Sequence, residues 1–486
     1  MKFNKIFVLF ISVLLIALVG CEDRSDLTAP EAPNTGTADF SSFVSIGNSL
    51  TAGFADNSLY ESAQVYSFGN QIAEAVGAQY VQPLVSDPGL PGRLEVDRFI
   101  IQDGSIASVV LTQNTGLGAA LNSSHAAPFN NLGVPGAILY DLVDETSFAQ
   151  KAVDRGNPYF QLVLRDAQFG ASIVKQAANL SPTFITMWIG NNDVLGYATS
   201  GGTSGTDATG KLPTDLTVFS ALYNQVGAAL AATGAKVVVA NIPDINAIPF
   251  FNTVGPLVGV TIKPLIDAGQ IAGVYYQKHG ETVASGLADF NTLVSGAIKF
   301  TLVGTEYASL IGQPGGKFYV DYGYPALPAG IDTTQPFGLH PQNPWPDAFT
   351  LDADEQSTIA THVAGFNSTI SSVATNNNFG LVDVNSIFGQ IKASEATGGT
   401  TIDGIIFTTQ FLSGGLFGLD GVHPTAQGQA VVANEFIKVI NSKWSASIPH
   451  INVSEIPGTI FLAKTIEKHP HLIPIFENLK LEDFTF

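Results

Sequence analysis

A serine, a histidine and an aspartate stand out by their type and setting. Ser49 sits in "FVSIGNSLTAGF", residues 43–54, where an apolar run stops at Gly47 and a short polar segment follows. His423 lies in "DGVHP", three residues after Asp420. A serine hydroxyl is a weak nucleophile at neutral pH and needs a base within hydrogen-bond reach. Neutral imidazole is such a base, and a carboxylate in the same turn can hold its Nδ1–H and stabilise the imidazolium that forms. The chemistry open to this set is acyl transfer through a covalent intermediate, whose tetrahedral stage needs N–H donors where the oxyanion develops. Gly136, in "NNLGVPG", offers a backbone N–H with no Cβ in the way. Asn192, in "GNND", offers a side-chain amide, and the Ser49 N–H is a third donor. Singly, each stretch reads as an ordinary turn. Their order along the chain, each beside a strand or helix boundary, favours the chemical reading.

Those boundaries come from the apolar pattern. Short apolar runs at 43–47, 131–134, 184–189, 236–241 and 380–384 suit strands buried on both faces, as in a parallel sheet covered by helices. Helical patterns lie at about 62–77, 160–179, 214–233, 276–300 and 353–375, and a last helix carries Val432, Phe436, Val439 and Ile440 on one face. Asp352 and Glu355 form a capping-box pattern, which explains "LDADE" as a helix start better than as a calcium loop. The alternation predicts a layered α/β domain with a mainly parallel sheet of about five strands, whose carboxyl ends gather the reactive groups. Two Gly/Pro-rich stretches, 81–128 and 244–350, read as irregular insertions over one edge of that sheet.

The four blocks around Ser49, Gly136, Asn192 and Asp420–His423 resemble the motif blocks of the SGNH/GDSL hydrolase superfamily. The chain as a whole is similar to its large lipoprotein members from Bacteroidetes-type bacteria. The resemblance implies a flavodoxin-like three-layer α/β/α sandwich and esterase, lipase or deacetylase chemistry. It implies Ser49 as nucleophile, Asp420 and His423 as acid and base, and Gly136 and Asn192 as the oxyanion hole, with no cofactor and no metal. The chain departs from the pattern in reading G-N-S-L for G-D-S-L, in a long separation between Asp193 and Asp420, and in a tail from Thr465 onward.

Hydrophobic residues make up 45% and charged residues 13%, enough apolar material for a sizeable core. The net charge of -20 repels phosphate backbones and excludes nucleic acid as an expected partner. The N-terminus opens with Lys2 and Lys5, continues through Ile6–Val19, apolar but for Ser12, and ends in Leu18-Val19-Gly20-Cys21. This run falls short of the roughly 20 residues that span a bilayer, so residues 1–20 are expected to be a signal peptide. The ending resembles a bacterial lipobox, which would make Cys21, the single cysteine, the lipidated anchor to the cell envelope, at the outer membrane or cell surface. Residues 21–39 then form a flexible tether, 40–445 the hydrolase domain and 446–486 a C-terminal tail.

The leading expectation is an envelope serine esterase acting on acyl or acetyl esters of small molecules, lipids or glycans. A glycan-binding or adhesion lipoprotein on the same fold and an acyltransferase using the same residues are the alternatives. Trp345 and the pair Tyr275-Tyr276 are weighed as cleft aromatics against ordinary packing, the tyrosines as positions on a helix. Arg93 either binds an acidic group or ties its loop down, and His469 and His471 are read as bystanders.

Overall fold

The computed structural model describes residues 33–102, 105–202 and 213–458, with residues 465–467, 475–476, 480 and 484 beyond. Cys21, the expected signal peptide and most of the expected tether lie outside the described residues, as do His469 and His471. Among the described residues, no helix is long and apolar enough to cross a membrane.

Five short strands build the central sheet: β1 (Phe43–Gly47), β2 (Asn131–Gly133), β3 (Phe184–Trp188), β4 (Lys236–Ala240) and β5 (Gly380–Val382). Every pairing is parallel, and the spatial order is β5-β4-β3-β1-β2. This is the flavodoxin-like doubly wound order. β1 and β3 are buried along their whole length, which is why they read as continuous apolar runs and not as alternating ones. The buried Thr186 hydroxyl donates to Ser45 Oγ at 2.7 Å, so the polar pair between these strands is satisfied internally.

The helices that matter for the site are α1 (Ser49–Ala52), α2 (Phe68–Val76), α3 (Ile173–Asn179), α4 (Asn192–Thr199), α5 (Leu216–Ala232), α6 (Ala353–Asn376) and α7 (Ala426–Trp444). α2 and α7 pack together on one face of the sheet, while α3, α5 and α6 cover the other, giving three layers. The α6 start is the capping box expected from its sequence: Asp352 Oδ1 accepts from the Asp354 and Glu355 N–H, and Glu355 Oε2 accepts from the Asp352 N–H at 2.7 Å. The two layers of helices bury large side chains such as Phe68, Phe219, Phe366 and Phe436 against the strands. Each such burial contributes about 1.5–3 kcal/mol.

Some expected elements differ. The pattern at 62–77 breaks at Ser67, whose hydroxyl caps α2. The 160–179 pattern splits into Tyr159–Leu164 and α3, because Arg165 turns to a φ of 58° and sends its guanidinium to backbone carbonyls of residues 123–127. No helix spans 276–300. Val274–Tyr276 pairs antiparallel with Gly286–Ala288 around a turn at Gly280, so Tyr275 and Tyr276 are strand residues. The stretch 81–128 is likewise not wholly irregular. It contains an antiparallel hairpin of Leu94–Gln102 and Ser105–Gln113, and Thr465–Glu467 and Ile475–Phe476 of the tail add to its two edges. Trp345 is packed, not cleft-lining: it is fully buried and stacks on Phe300 at 4.5 Å. Arg93 ties its loop down through Asp87, Glu95 and the Tyr60 ring.

Candidate active site

The parallel register brings the expected residues to one edge. Gly47 pairs with Gly133 on one side and with Trp188 on the other, so the three strands end level. Ser49, Gly136 and Asn192 follow those ends by two, three and four residues. α1 can lie close against β2 because residue 133 is glycine; a Cβ there would strike the Ala52 backbone nitrogen. Ser49 opens α1, which Asn48 caps by accepting the Leu50 N–H at 3.1 Å. The Asn48 amide donates to Asn191 Oδ1 at 3.3 Å, a bond that an aspartate at this position could not donate. Gln429 of α7 fastens α1 from behind, donating to the Leu50 carbonyl and accepting from the Phe68 N–H, each at 3.1 Å.

His423 and Asp420 come from the loop that leads into α7. His423 Nε2 lies 2.9 Å from Ser49 Oγ, and His423 Nδ1 lies 2.9 Å from Asp420 Oδ2. All three residues are almost wholly buried. Asp420 is held by backbone donors as well: Oδ1 accepts from the Val422 and His423 N–H, each at 2.9 Å, and Oδ2 accepts from the Asn57 N–H at 2.8 Å. Burial pushes the Asp420 carboxyl up, but the imidazole and these donors outweigh it and leave the group below its ordinary value. It therefore stays ionised and acceptor-only, which fixes the imidazole with Nδ1–H toward Asp420 and the Nε2 lone pair toward Ser49.

The expected oxyanion donors are arranged beside this chain. Val134-Pro135-Gly136-Ala137 is a tight turn closed by the Ala137 N–H on the Val134 carbonyl, with proline at its second position and Gly136 at a φ of 75°. That is the φ a type II turn demands of its third residue. Asn192 Nδ2 donates to the Ala137 carbonyl at 2.9 Å, which ties α4 to the turn and leaves its second N–H for the cleft that Asn192 lines. The N–H groups of Ser49 and Gly136 have no acceptor among the described residues. Gly136 does not itself line the cleft; it stands beside it through the Ala137–Asn192 bond.

The cleft over Ser49 and His423 is open to solvent, and the empty space in it and at its mouth is about 430 Å³. Its walls are mostly apolar, including Leu50, Trp188, Leu195, Ile248, Phe388 and Phe417. Ile245 and Ile248 belong to the 244–350 insertion, so the insertion shapes the cleft through its first residues and not through Trp345.

The sequence reading missed the segment that steadies Asp420. Asp56 and Asn57 both hold positive φ, at 51° and 57°, which aims the Asn57 N–H at the carboxylate. Asp56 accepts the Leu419 N–H at 2.6 Å and the Tyr60 hydroxyl at 2.7 Å, latching the histidine loop to the serine segment. The adjacent Asp-Asn pair was the available signal, since these types enter the left-handed region more readily than other non-glycine residues.

Behind the Val134–Ala137 turn, Asp193 is fully buried and accepts from the Leu139 N–H at 2.8 Å and the Thr214 hydroxyl at 2.7 Å. Burial lifts its carboxyl from 3.8 to about 7 against those two donors. The folded protein thus keeps a proton that the unfolded chain releases near its ordinary value. The stabilisation is complete below about pH 4 and declines as pH rises toward 7, on the order of a few kcal/mol in all. Asp193→Asn keeps an acceptor for Leu139 and a neutral group for Thr214. Its melting temperature is expected to gain on that of the unsubstituted protein as pH rises from 5 to 8; two parallel curves would contradict the assignment.

Neither a protein-family model, nor a curated protein, nor a solved structure matches the chain.

Proposed function

We propose that the protein is a serine ester hydrolase of the SGNH/GDSL type, held at the cell envelope through Cys21. One observation carries this reading: the continuous hydrogen-bonded series Ser49 Oγ, His423 Nε2, His423 Nδ1, Asp420 Oδ2 at the floor of an open cleft. A binding protein has no use for a buried serine aimed at a carboxylate-oriented imidazole. The four motif blocks and the flavodoxin-like strand order add support. The envelope location rests on the lipobox-like Leu18–Cys21 ending.

In this mechanism Ser49 Oγ attacks the ester carbonyl carbon while its proton passes to His423 Nε2. The carbonyl oxygen, now negative, is met by the N–H groups of Ser49 and Asn192, with the unpartnered Gly136 N–H at the edge of the cleft as the third donor. Collapse breaks the bond to the alcohol oxygen, which leaves with the proton from Nε2. Water then attacks the acyl-enzyme by the same route, giving its proton to Nε2, and Ser49 Oγ recovers it as the acid departs. Because the base must be neutral, turnover is expected to fail in acid and rise with pH; a flat rate would contradict histidine base catalysis. Asn192→Ala removes one oxyanion donor and leaves the nucleophile in place. Its kcat is expected to fall about 10²–10³-fold with little change in ground-state binding, a split that steady-state kinetics reads directly.

The apolar cleft wall favours an acyl chain longer than acetyl. A series of aryl esters from acetate to octanoate tests this. Each methylene that enters the cleft is worth about 0.8 kcal/mol, or about fourfold in kcat/KM, until the wall is met. A rate that is greatest for acetate and falls steadily with length would overturn the acyl-chain assignment and leave an acetyl-ester substrate.

A further inference from the structure

Away from the cleft, three side chains, one of them 68 residues before the next along the chain, meet where the insertion joins α6. Asp347 lies in a short turn of the insertion, His279 in the loop after Val274–Tyr276, and Glu355 in the first turn of α6. One ligand atom of each lies within 4.8 Å of the other two. His279 Nδ1 is 3.3 Å from Asp347 Oδ2.

The arrangement leaves two carboxylate oxygens without a hydrogen-bond partner among the described residues. Glu355 is only 5% exposed, and its Oε2 is used by the capping box while Oε1 has no partner. Asp347 Oδ1 is also buried and unpartnered. A buried unpaired carboxylate oxygen is costly, and this group has two. The charged neighbours acting most strongly on Glu355 are Asp352, Asp347 and Asp354, all acidic. At the end of α4, a Cβ on Gly202 would collide with the Glu355 carboxyl, so the glycine is what admits that carboxyl to its place. His279 is 44% exposed and opens the group to solvent, giving an ion a way in and room for water ligands.

We propose that His279, Asp347 and Glu355 form a binding site for a first-row divalent metal ion such as zinc. An imidazole nitrogen with two carboxylates suits such an ion better than calcium or magnesium, which take all-oxygen sets. Zinc holds these donors at about 2.0–2.2 Å in a tetrahedron, so its ligand atoms lie about 3.5 Å apart. His279 Nδ1 and Asp347 Oδ2 already stand at 3.3 Å, and drawing in a gap of up to 4.8 Å takes about 1.3 Å of side-chain movement. The ion would fasten the insertion, through His279 and Asp347, to α6 and to the end of α4, whose first residue is Asn192. Its role is a clasp and is independent of the ester chemistry.

The test uses the full chain, stripped with EDTA and then titrated with Zn²⁺ by calorimetry and by thermal melting. One equivalent is expected to bind, raising the melting temperature by about 3 °C or more at saturation. His279→Ala should weaken binding at least about 10-fold, the least that loss of a ligand-supporting group costs, and remove the shift. Glu355→Gln should also lose the metal, yet its amide oxygen can keep the Asp352 N–H bond, so the metal-free variant should still fold and melt cooperatively. Zinc binding that survives both substitutions would place the ion elsewhere and overturn the proposal. So would absence of binding together with a higher melting temperature for Glu355→Gln, since the two carboxyl groups would then be sharing a proton.

Discussion

Ser49→Ala and His423→Ala are each expected to remove nearly all ester turnover, by about 10⁴-fold or more, and the double variant to be hardly worse than either. The reason is the shared proton path. With Nε2 at 2.9 Å from Oγ, the proposed mechanism has the serine attack only as fast as the imidazole takes its proton, and leaves the imidazole no task once the hydroxyl is gone. Residues that act as one unit give effects that do not add. Ser49→Ala exchanges a small hydroxyl for hydrogen, so its melting temperature should barely move and serves as the folding control. Losses that multiplied in the double variant would mean that the two side chains act separately, and the proton path would be wrong.

Asp420→Asn is expected to cost about 10⁴-fold in kcat, comparable with removing the base. Asp420 accepts four N–H bonds: Val422 and His423 backbone on one oxygen, Asn57 backbone and His423 Nδ1 on the other. An asparagine has one oxygen, so its NH₂ must face two of those donors whichever way it turns. If the NH₂ faces His423, the ring can satisfy it only by moving its proton to Nε2, which leaves no lone pair for Ser49. If it faces the loop, the Val422 and His423 N–H groups lose their acceptor and the turn shifts. Steady-state kinetics with a melting control distinguishes this from simple unfolding. A loss below about 10-fold, on a fold that remains intact, would mean that Asp420 does not set the imidazole.

Much of this candidate site was legible because its side chains stand at the ends of strands or at the start of a helix. β1, β3 and β4 are short runs buried on both sides, and such runs announce themselves as uninterrupted apolar stretches. Each is followed within a few residues by glycine or a polar type, and in a parallel sheet those positions converge. Ser49 and Asn192 could therefore be picked out without coordinates, and Asp420 and His423 by their spacing in one turn before the last helical pattern. Asn57 could not, because it contributes a backbone N–H, which every residue but proline has. The 276–300 region misled for a different reason. Apolar residues there fit a helical spacing, but Gly280 and Gly286 mark a hairpin that the Val274–Tyr276 pairing stabilises. The His279–Asp347–Glu355 group has no local pattern at all, since its members are 68 and 8 residues apart along the chain. Only folding brings them together.

The central claim is that Ser49 is a nucleophile activated by His423. The most direct measurement is to label the purified protein with a fluorophosphonate probe, digest it and locate the phosphonylated residue by mass spectrometry. The expected result is one modified residue, Ser49, with labelling lost in Ser49→Ala and strongly slowed in His423→Ala. Labelling at another serine, or an unlabelled Ser49 in a folded protein, would contradict it.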